Sequence, residues 1–436
     1  MPYRQRIESC FAEVIGENGL DRTDYNAALG QTEAALAELR ARHDASSLPL
    51  LRLPAERGDL DALAAIAKRY GEVFSQVVVL GTGGSSLGGK TLYGLAGDAL
   101  GVAPPYDPKA PRLHFMDNID PHSFTCLFQA LDLAQTGFLV ISKSGATPET
   151  LTQFLVCFET VSRDLGKKKA AAHFTLIAEP GSNPLRGLGE ALGMDVLDHD
   201  PGLGGRFSVL SLVGLLPAIM AGVDAVSLRE GAAMVLDPIL KGAAPQDCPP
   251  AVGAALAVAL AQTRGVSMIV LMPYLDRLDS FAVWFRQLWA ESLGKGGQGT
   301  TPIKALGTVD QHSQLQLYLD GPADKMFTLI LADVAGSGAR VNPALARDPA
   351  LAWLAGRTMG DLLEAEQQAT VETLIRNHRP LRVMDIKHLD EWVMGGLLMH
   401  FMLETIIAGH LLGVDAFDQP AVEEGKVLAR ASFERD

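Results

Sequence analysis

Two hydrophobic patterns alternate along the chain. Short unbroken apolar runs end in glycine, serine or aspartate, and between them apolar residues recur with a period near that of a helix. Runs of this kind, rich in β-branched residues and closed by turn residues, read as strands covered on both faces. Gln76–Leu80, Arg112–Met116, residues 137–141 and Phe174–Ala178 are the first strand candidates, and 266–272 and 326–334 follow. Up to about residue 69 the chain is rich in Ala, Leu, Glu and Arg at helical spacing, which predicts helices. Further helices are expected over 209–220 and Asp279–Leu293. A helical tail over 386–430 is expected to break at 413–420. Strands alternating with helices imply an α/β protein with parallel, doubly wound sheets. Residues 237–252 carry four prolines and few large apolar side chains, so a division between two such units is expected there. The expected organisation is a helical extension over 1–70, one α/β domain over 71–240, a second over 250–400, and a helical tail over 401–436.

Composition narrows the class. A chain of 436 residues with 48% hydrophobic and 20% charged residues can bury a large core. The formal net charge of -14 argues against a nucleic-acid binder. It leaves room for a small anionic substrate, because local cations can dominate a cleft. Cys10, Cys126, Cys157 and Cys248 form no CxxC pair or metal-like cluster, and read as thiols of a reducing compartment. The N-terminus lacks a signal-peptide apolar region. No apolar run approaches the roughly 18 residues of a membrane span. A soluble cytoplasmic protein is the expectation.

Chemistry concentrates at strand ends. After the first strand, Gly81-Thr82-Gly83-Gly84-Ser85-Ser86 can bring backbone amides and a helix N-terminus to an anion. The spacing is not the dinucleotide GxGxxG. Gly84 to Thr91 meets the bare Walker spacing, but Lys90-Thr91 would have to open the helix. A tight strand–helix turn would account for the same residues. The loop Ser142-Lys143-Ser144-Gly145-Ala146-Thr147 places three hydroxyls and a lysine before a proline-started helix, a set suited to a phosphate. The competing reading is an N-cap with one useful hydroxyl.

Acid–base and charge-stabilising candidates lie further on. Gly204-Gly205-Arg206-Phe207-Ser208 sets an arginine where backbone can approach closely, and arginine can stabilise an oxyanion. Glu291 lies in a helix with Phe285, Leu288 and Trp289, so partial desolvation of a basic carboxylate is expected. Gln287 falls one turn earlier on the same face. His312 follows Glu291 by 21 residues in a polar run. Acid–base groups beside a phosphate cradle suggest a sugar-phosphate enzyme.

These pieces together closely resemble the glucose-6-phosphate isomerase family, the type built from two sugar-isomerase (SIS) domains. The matched pieces are Gly83-Gly84-Ser85-x-Leu87-Gly88, Ser142-Lys143-Ser144-x-x-Thr147-x-Glu149-Thr150 and Gly204-Gly205-Arg206-Phe207-Ser208-Val209-Leu210-Ser211. Gln287-x-x-x-Glu291-Ser292-x-Gly294-Lys295, Asp310-Gln311-His312-Ser313-Gln314 and Gln419-Pro420-x-Val422-Glu423-x-Gly425-Lys426 complete the set, in family order. The resemblance implies that Gly84, Ser85, Ser142, Lys143, Ser144 and Thr147 hold the substrate phosphate. It implies that Gln287 and Gln419 contact sugar or phosphate oxygens. Glu291 would move a proton between carbons 2 and 1 through a cis-enediol, and Arg206 would stabilise the enediolate. His312 and Lys426 would assist ring opening. In this family that histidine is usually supplied by the partner subunit of a homodimer. No metal or organic cofactor is implied.

Alternatives stand beside this expectation. A dual phosphoglucose/phosphomannose isomerase would share every one of these residues, because carbon-2 stereochemistry depends on fine placement of Glu291. A non-catalytic phosphosugar-binding SIS protein would have little reason to combine Glu291, Arg206, His312 and Lys426.

Overall fold

The computed structural model describes residues 1–98 and 109–433. Among the described residues, ten strands form two five-stranded sheets. In chain order they are β1 (Arg4–Arg6), β2 (Gln76–Leu80), β3 (Arg112–Met116), β4 (Thr136–Ile141), β5 (Phe174–Ala178), β6 (Asp195–Asp198), β7 (Met268–Pro273), β8 (Thr301–Lys304), β9 (Lys325–Ala332) and β10 (Leu381–Ile386). The first sheet has the order β3-β2-β4-β5-β6 and is parallel throughout, with Gln76 opposite both Arg112 and Thr136. The second has the order β1-β10-β9-β7-β8, parallel except for β1. β4, β5 and β9 are buried along their whole length and β2 from Val77 on, as unbroken apolar runs require.

The helices used below are α1 (Arg22–Asp44), α2 (Gly84–Tyr93), α3 (Pro148–Leu165), α4 (Leu212–Met220), α5 (Ala225–Leu240), α6 (Pro249–Arg264), α7 (Asp279–Leu293), α8 (Glu391–Leu412) and α9 (Glu423–Phe433). One large core runs between the sheets and unites α1, α2, α4, α5, α6, α7 and α8. Smaller clusters cover the other face of each sheet, the first around Phe138, Phe154 and Phe174, the second around Phe327, Leu329 and Tyr318.

Several elements depart from the sequence expectation. The helical reading of the first 69 residues passes over β1, whose Arg-Gln-Arg carries no apolar signal and is held instead by β10 and an Arg6–Asp385 ion pair at 2.7 Å. β6 and β8 are short edge strands with polar ends. β10 alternates apolar residues with Arg382 and Asp385, and its last residue, Ile386, is where the tail was read as helical. The helix expected over 209–220 begins only at Leu212, after Ser211 caps it. Residues 237–252 are largely ordered as the end of α5, a turn at Pro245–Asp247 and the start of α6, where Pro249 and Pro250 occupy positions that need no donor.

α8 is long and apolar enough to cross a membrane, although no such run was expected. Its window is 89% buried inside the protein, so it is the core helix of the fold. It can lie this deep because glycines meet backbone at its crossing with α5. A Cβ on Gly395 would sit 1.8 Å from the Leu228 carbonyl oxygen, and one on Gly231 1.8 Å from that of Trp392.

Candidate functional site

The site forms at the carboxyl ends of β2 and β4, where strand order in the first sheet reverses, the usual place for a ligand crevice in an open α/β sheet. After β2 the chain turns through Gly83, whose φ of +56° favours glycine. A side chain there would also meet Gln287 Nε2 at 2.8 Å. One at Gly84 would run into the carbonyl carbon of Gly205 at 2.3 Å. The two glycines thus let the α2 N-terminus, the Gly204–Arg206 loop and α7 converge. The amides of Ser85, Ser86 and Leu87 bond back to the Thr82 and Gly83 carbonyls, and the helix dipole adds partial positive charge toward an anion.

The loop after β4 is built for more than capping. Thr147 occupies the N-cap position of α3, yet its hydroxyl caps no amide. It accepts a hydrogen bond from the buried Ser142 Oγ at 2.9 Å. The N-cap alternative therefore does not describe this loop. Gly145, at φ +60°, packs against Asn183, where a Cβ would lie 1.9 Å from Oδ1. Ser144 is exposed and accepts from the Ala146 amide at 3.3 Å. Lys143 differs from expectation. Its ammonium donates to the Pro201 carbonyl at 3.0 Å and pairs with Glu179 at 3.4 Å, tying the loop to the 200–205 stretch rather than standing among the hydroxyls.

Glu291 lies at the centre of the remaining residues. Gln287 Nε2 donates to its Oε1 at 3.1 Å, and Arg206 Nη1 stands 3.5 Å from its Oε2. Gln287 Oε1 is buried and without a protein partner among the described residues. The aromatic residues of α7 face the core, so the Glu291 side chain is 34% exposed, less desolvated than its neighbours in sequence suggest. Arg206 is the buried member, at 3% exposure. Burial pulls its guanidinium below its ordinary value, against the pull of Glu291, Asp418 and Asp415, and arginine still remains cationic. It donates to Ser292 Oγ at 2.8 Å, Gln419 Oε1 at 2.6 Å, and the carbonyls of Ala416 and Asp418 at 2.7 and 2.9 Å. A carboxylate beside a fixed cation and an anion cradle can take a proton next to a carbonyl and stabilise the charge that forms.

Two candidates are not brought to this centre. His312 follows a turn at Val309–Gln311 and is exposed. Among the described residues, no hydrogen bond or ion pair joins it to Glu291, Arg206 or Gln287. The residues just before it, Gly307 to Val309, border a separate cavity of about 540 Å³ at the carboxyl edge of the second sheet, with Tyr274, Ser337 and Glu366. Lys426 lies on α9, a helix with no buried residue, and its ammonium pairs with Glu423 at 2.7 Å. The Walker reading fails on geometry: Gly84 opens α2, while Lys90 lies in its last turn, 3.2 Å from Asp117.

Sequence reasoning passed over Ser292, Lys295 and Asp418. The first two stand inside a matched motif and could have been found by asking what caps the end of α7. The carbonyls of Ala416 and Asp418 leave no side-chain signal at all.

Residues 65–435 match the phosphoglucose isomerase family. The glucose-6-phosphate isomerase of Rubrobacter xylanophilus is 37% identical over 88% of this chain and 89% of its own length. That of Carboxydothermus hydrogenoformans is 33% identical over 98% and 95%. Among solved structures, a hypothetical protein from Thermus thermophilus superposes with a TM-score of 0.83 at 32% identity, covering 99% of each chain. A glucose-6-phosphate isomerase from Chlamydia trachomatis shares the fold, with a TM-score of 0.80 at 20% identity over 99% of this chain and 88% of its own.

Proposed function

This chain belongs to the phosphoglucose isomerase family, and on that premise we propose that it interconverts glucose 6-phosphate and fructose 6-phosphate. The observation that carries the proposal is the Gln287–Glu291–Arg206 group, with contacts of 3.1 and 3.5 Å, set against the Gly83-Gly84 turn. In this reading the phosphate rests on the α2 N-terminus at Gly84 and Ser85 and on the hydroxyls of Ser142, Ser144 and Thr147. Lys143 acts at longer range, from behind the loop. Gln287 and Gln419 orient sugar or phosphate oxygens.

The open-chain sugar presents carbon 2 or carbon 1 to Glu291. The carboxylate takes the proton from one carbon, leaving a cis-enediol whose developing oxyanion faces Arg206, and returns it to the other. Ring opening precedes this and falls to His312 and Lys426. His312 is exposed and, among the described residues, makes no hydrogen bond or ion pair to Glu291 of its own chain, which supports a homodimer in which it serves the partner's site. The exposed Val309 and Leu317 beside it are suited to such an interface. A cytoplasmic setting follows from the sugar-phosphate substrate.

The deciding experiment is conversion of fructose 6-phosphate to glucose 6-phosphate with EDTA present, read by a coupled glucose-6-phosphate dehydrogenase. Rapid turnover supports the isomerase, and mannose 6-phosphate is then the substrate that separates a dual enzyme. Sugar-phosphate binding without turnover would sink the catalytic reading.

A further inference from the structure

Lys295, just past the end of α7, is a cation to which the proposed reaction gives no task. Its side chain is 14% exposed, and its ammonium has three acceptors. These are the Ser292 carbonyl at 3.1 Å, Asp418 Oδ1 at 2.8 Å and the Asp415 carbonyl. An ammonium has three N–H donors, so Lys295 is saturated by the protein and has none left for substrate. Two of the three acceptors belong to 415–419, a segment without secondary structure between α8 and the turn at Pro420–Val422.

The same segment aims Arg206. A guanidinium offers five N–H donors. The Nε hydrogen goes to Ser292 Oγ, both Nη2 hydrogens go to the carbonyls of Ala416 and Asp418, and one Nη1 hydrogen goes to Gln419 Oε1. The remaining Nη1 hydrogen is the one toward Glu291 Oε2, at 3.5 Å. Arg206 therefore presents a single N–H to the reacting centre. Three of the acceptors that set its direction stand on the segment Lys295 clamps. The other, Ser292 Oγ, belongs to the residue whose carbonyl Lys295 also holds.

We propose that Lys295 is a positioning residue for the isomerisation, fixing 415–419 against the end of α7 so that the one free N–H of Arg206 meets the oxyanion of the intermediate. The proposal rests on the roles given above to Glu291 and Arg206. Because the oxyanion exists only along the reaction path, loss of aim lowers kcat more than it raises KM.

The test is Lys295→Met, which keeps length and removes the donors. The expected result is a fall in kcat of about 10- to 100-fold, the cost of misplacing a group by up to about an ångström, with KM changed by less than about 3-fold. The same substitution in an Arg206→Lys background should cost far less, since its effect runs through the guanidinium. Lys295→Arg, which keeps donors at that point, should recover part of the loss. If Lys295→Met does not fold, Asp418→Asn removes the negative charge that Lys295 pairs with, without changing size, and should show the same pattern in milder form. Wild-type kcat in the variant, or losses that simply multiply in the two backgrounds, would overturn the positioning role while the isomerase stands. An inactive wild-type protein would instead overturn the isomerase reading, and this proposal with it.

Discussion

Replacing Glu291 by Gln keeps the length of the side chain and removes its capacity to accept a proton. General-base contributions are typically about 10²- to 10⁴-fold, so Glu291→Gln should lose at least that much in kcat. Its contact with Gln287 can persist through the amide oxygen, and the phosphate cradle does not touch it. Fructose 6-phosphate binding, measured by calorimetry, should therefore survive. Near-normal turnover would mean that another group is the base. Thr147 gives the complementary case. Its hydroxyl is tied to Ser142 and caps nothing. Thr147→Val should raise KM by about 10-fold, the worth of one hydrogen bond to a charged group, with kcat little changed. An unaltered KM would return this loop to a structural role.

At the scale of elements, legibility followed burial. The central strands β2, β4 and β5 and the whole of α7 were visible because apolar runs and 3.6-residue periodicity are what a covered strand and a half-covered helix require. β1 and β6 were not, because edge strands are held by their neighbours and carry little pattern of their own. The candidate site could be read from the sequence where side chains carry it, at Glu291, Arg206 and Thr147, and not where carbonyls line it, at Ala416 and Asp418. α8 shows a further limit, since its length and apolar character gave no hint of the polar chain inside it. Tyr3 Oη meets His400 Nδ1 at 2.6 Å, His400 Nε2 meets Glu404 at 2.7 Å, and Arg382 meets Glu404 at 2.8 Å. All are buried, and they bind the N-terminal segment and β10 to α8.

This chain makes stability depend on pH. Burial holds the His400 imidazole below its ordinary value of 6.5, against the pull of Glu404. The unfolded chain then binds more protons than the folded one just below 6.5. Stability is fully present above that pH and falls as pH drops through it toward the lower folded value. Each unit in that window costs about 1.4 kcal/mol. Urea unfolding from pH 7.5 to 5 should show this slope, and His400→Gln should reduce it, leaving the share of His199, whose imidazole burial also holds down. An equal slope in the variant would place the titration elsewhere. Gly395→Ala tests the crossing of α5 and α8 separately. Its methyl must displace the Leu228 carbonyl, and a loss of about 1–3 kcal/mol is expected from overpacking.

For the molecule as a whole, the positions of Glu291 and His312 lead to a sharper test than oligomer size. The proposed symmetric dimer would make two equivalent sites, each drawing Glu291 from one protomer and His312 from the other. Glu291→Gln and His312→Ala homodimers would each be inactive or nearly so. In a heterodimer of the two, one site inherits both defects and the other inherits none. Random reassortment after unfolding and refolding together should restore about a quarter of wild-type activity, since half the dimers are mixed and half of their sites are intact. If His312 instead served the site of its own chain, every site in the mixture would carry one defect and no activity would return. The exposed apolar residues near His312, Val309 and Leu317, provide the control. Changing both to Asp should weaken the dimer and abolish complementation, and it should leave fructose 6-phosphate binding intact, because the proposed cradle is built from contacts within one chain.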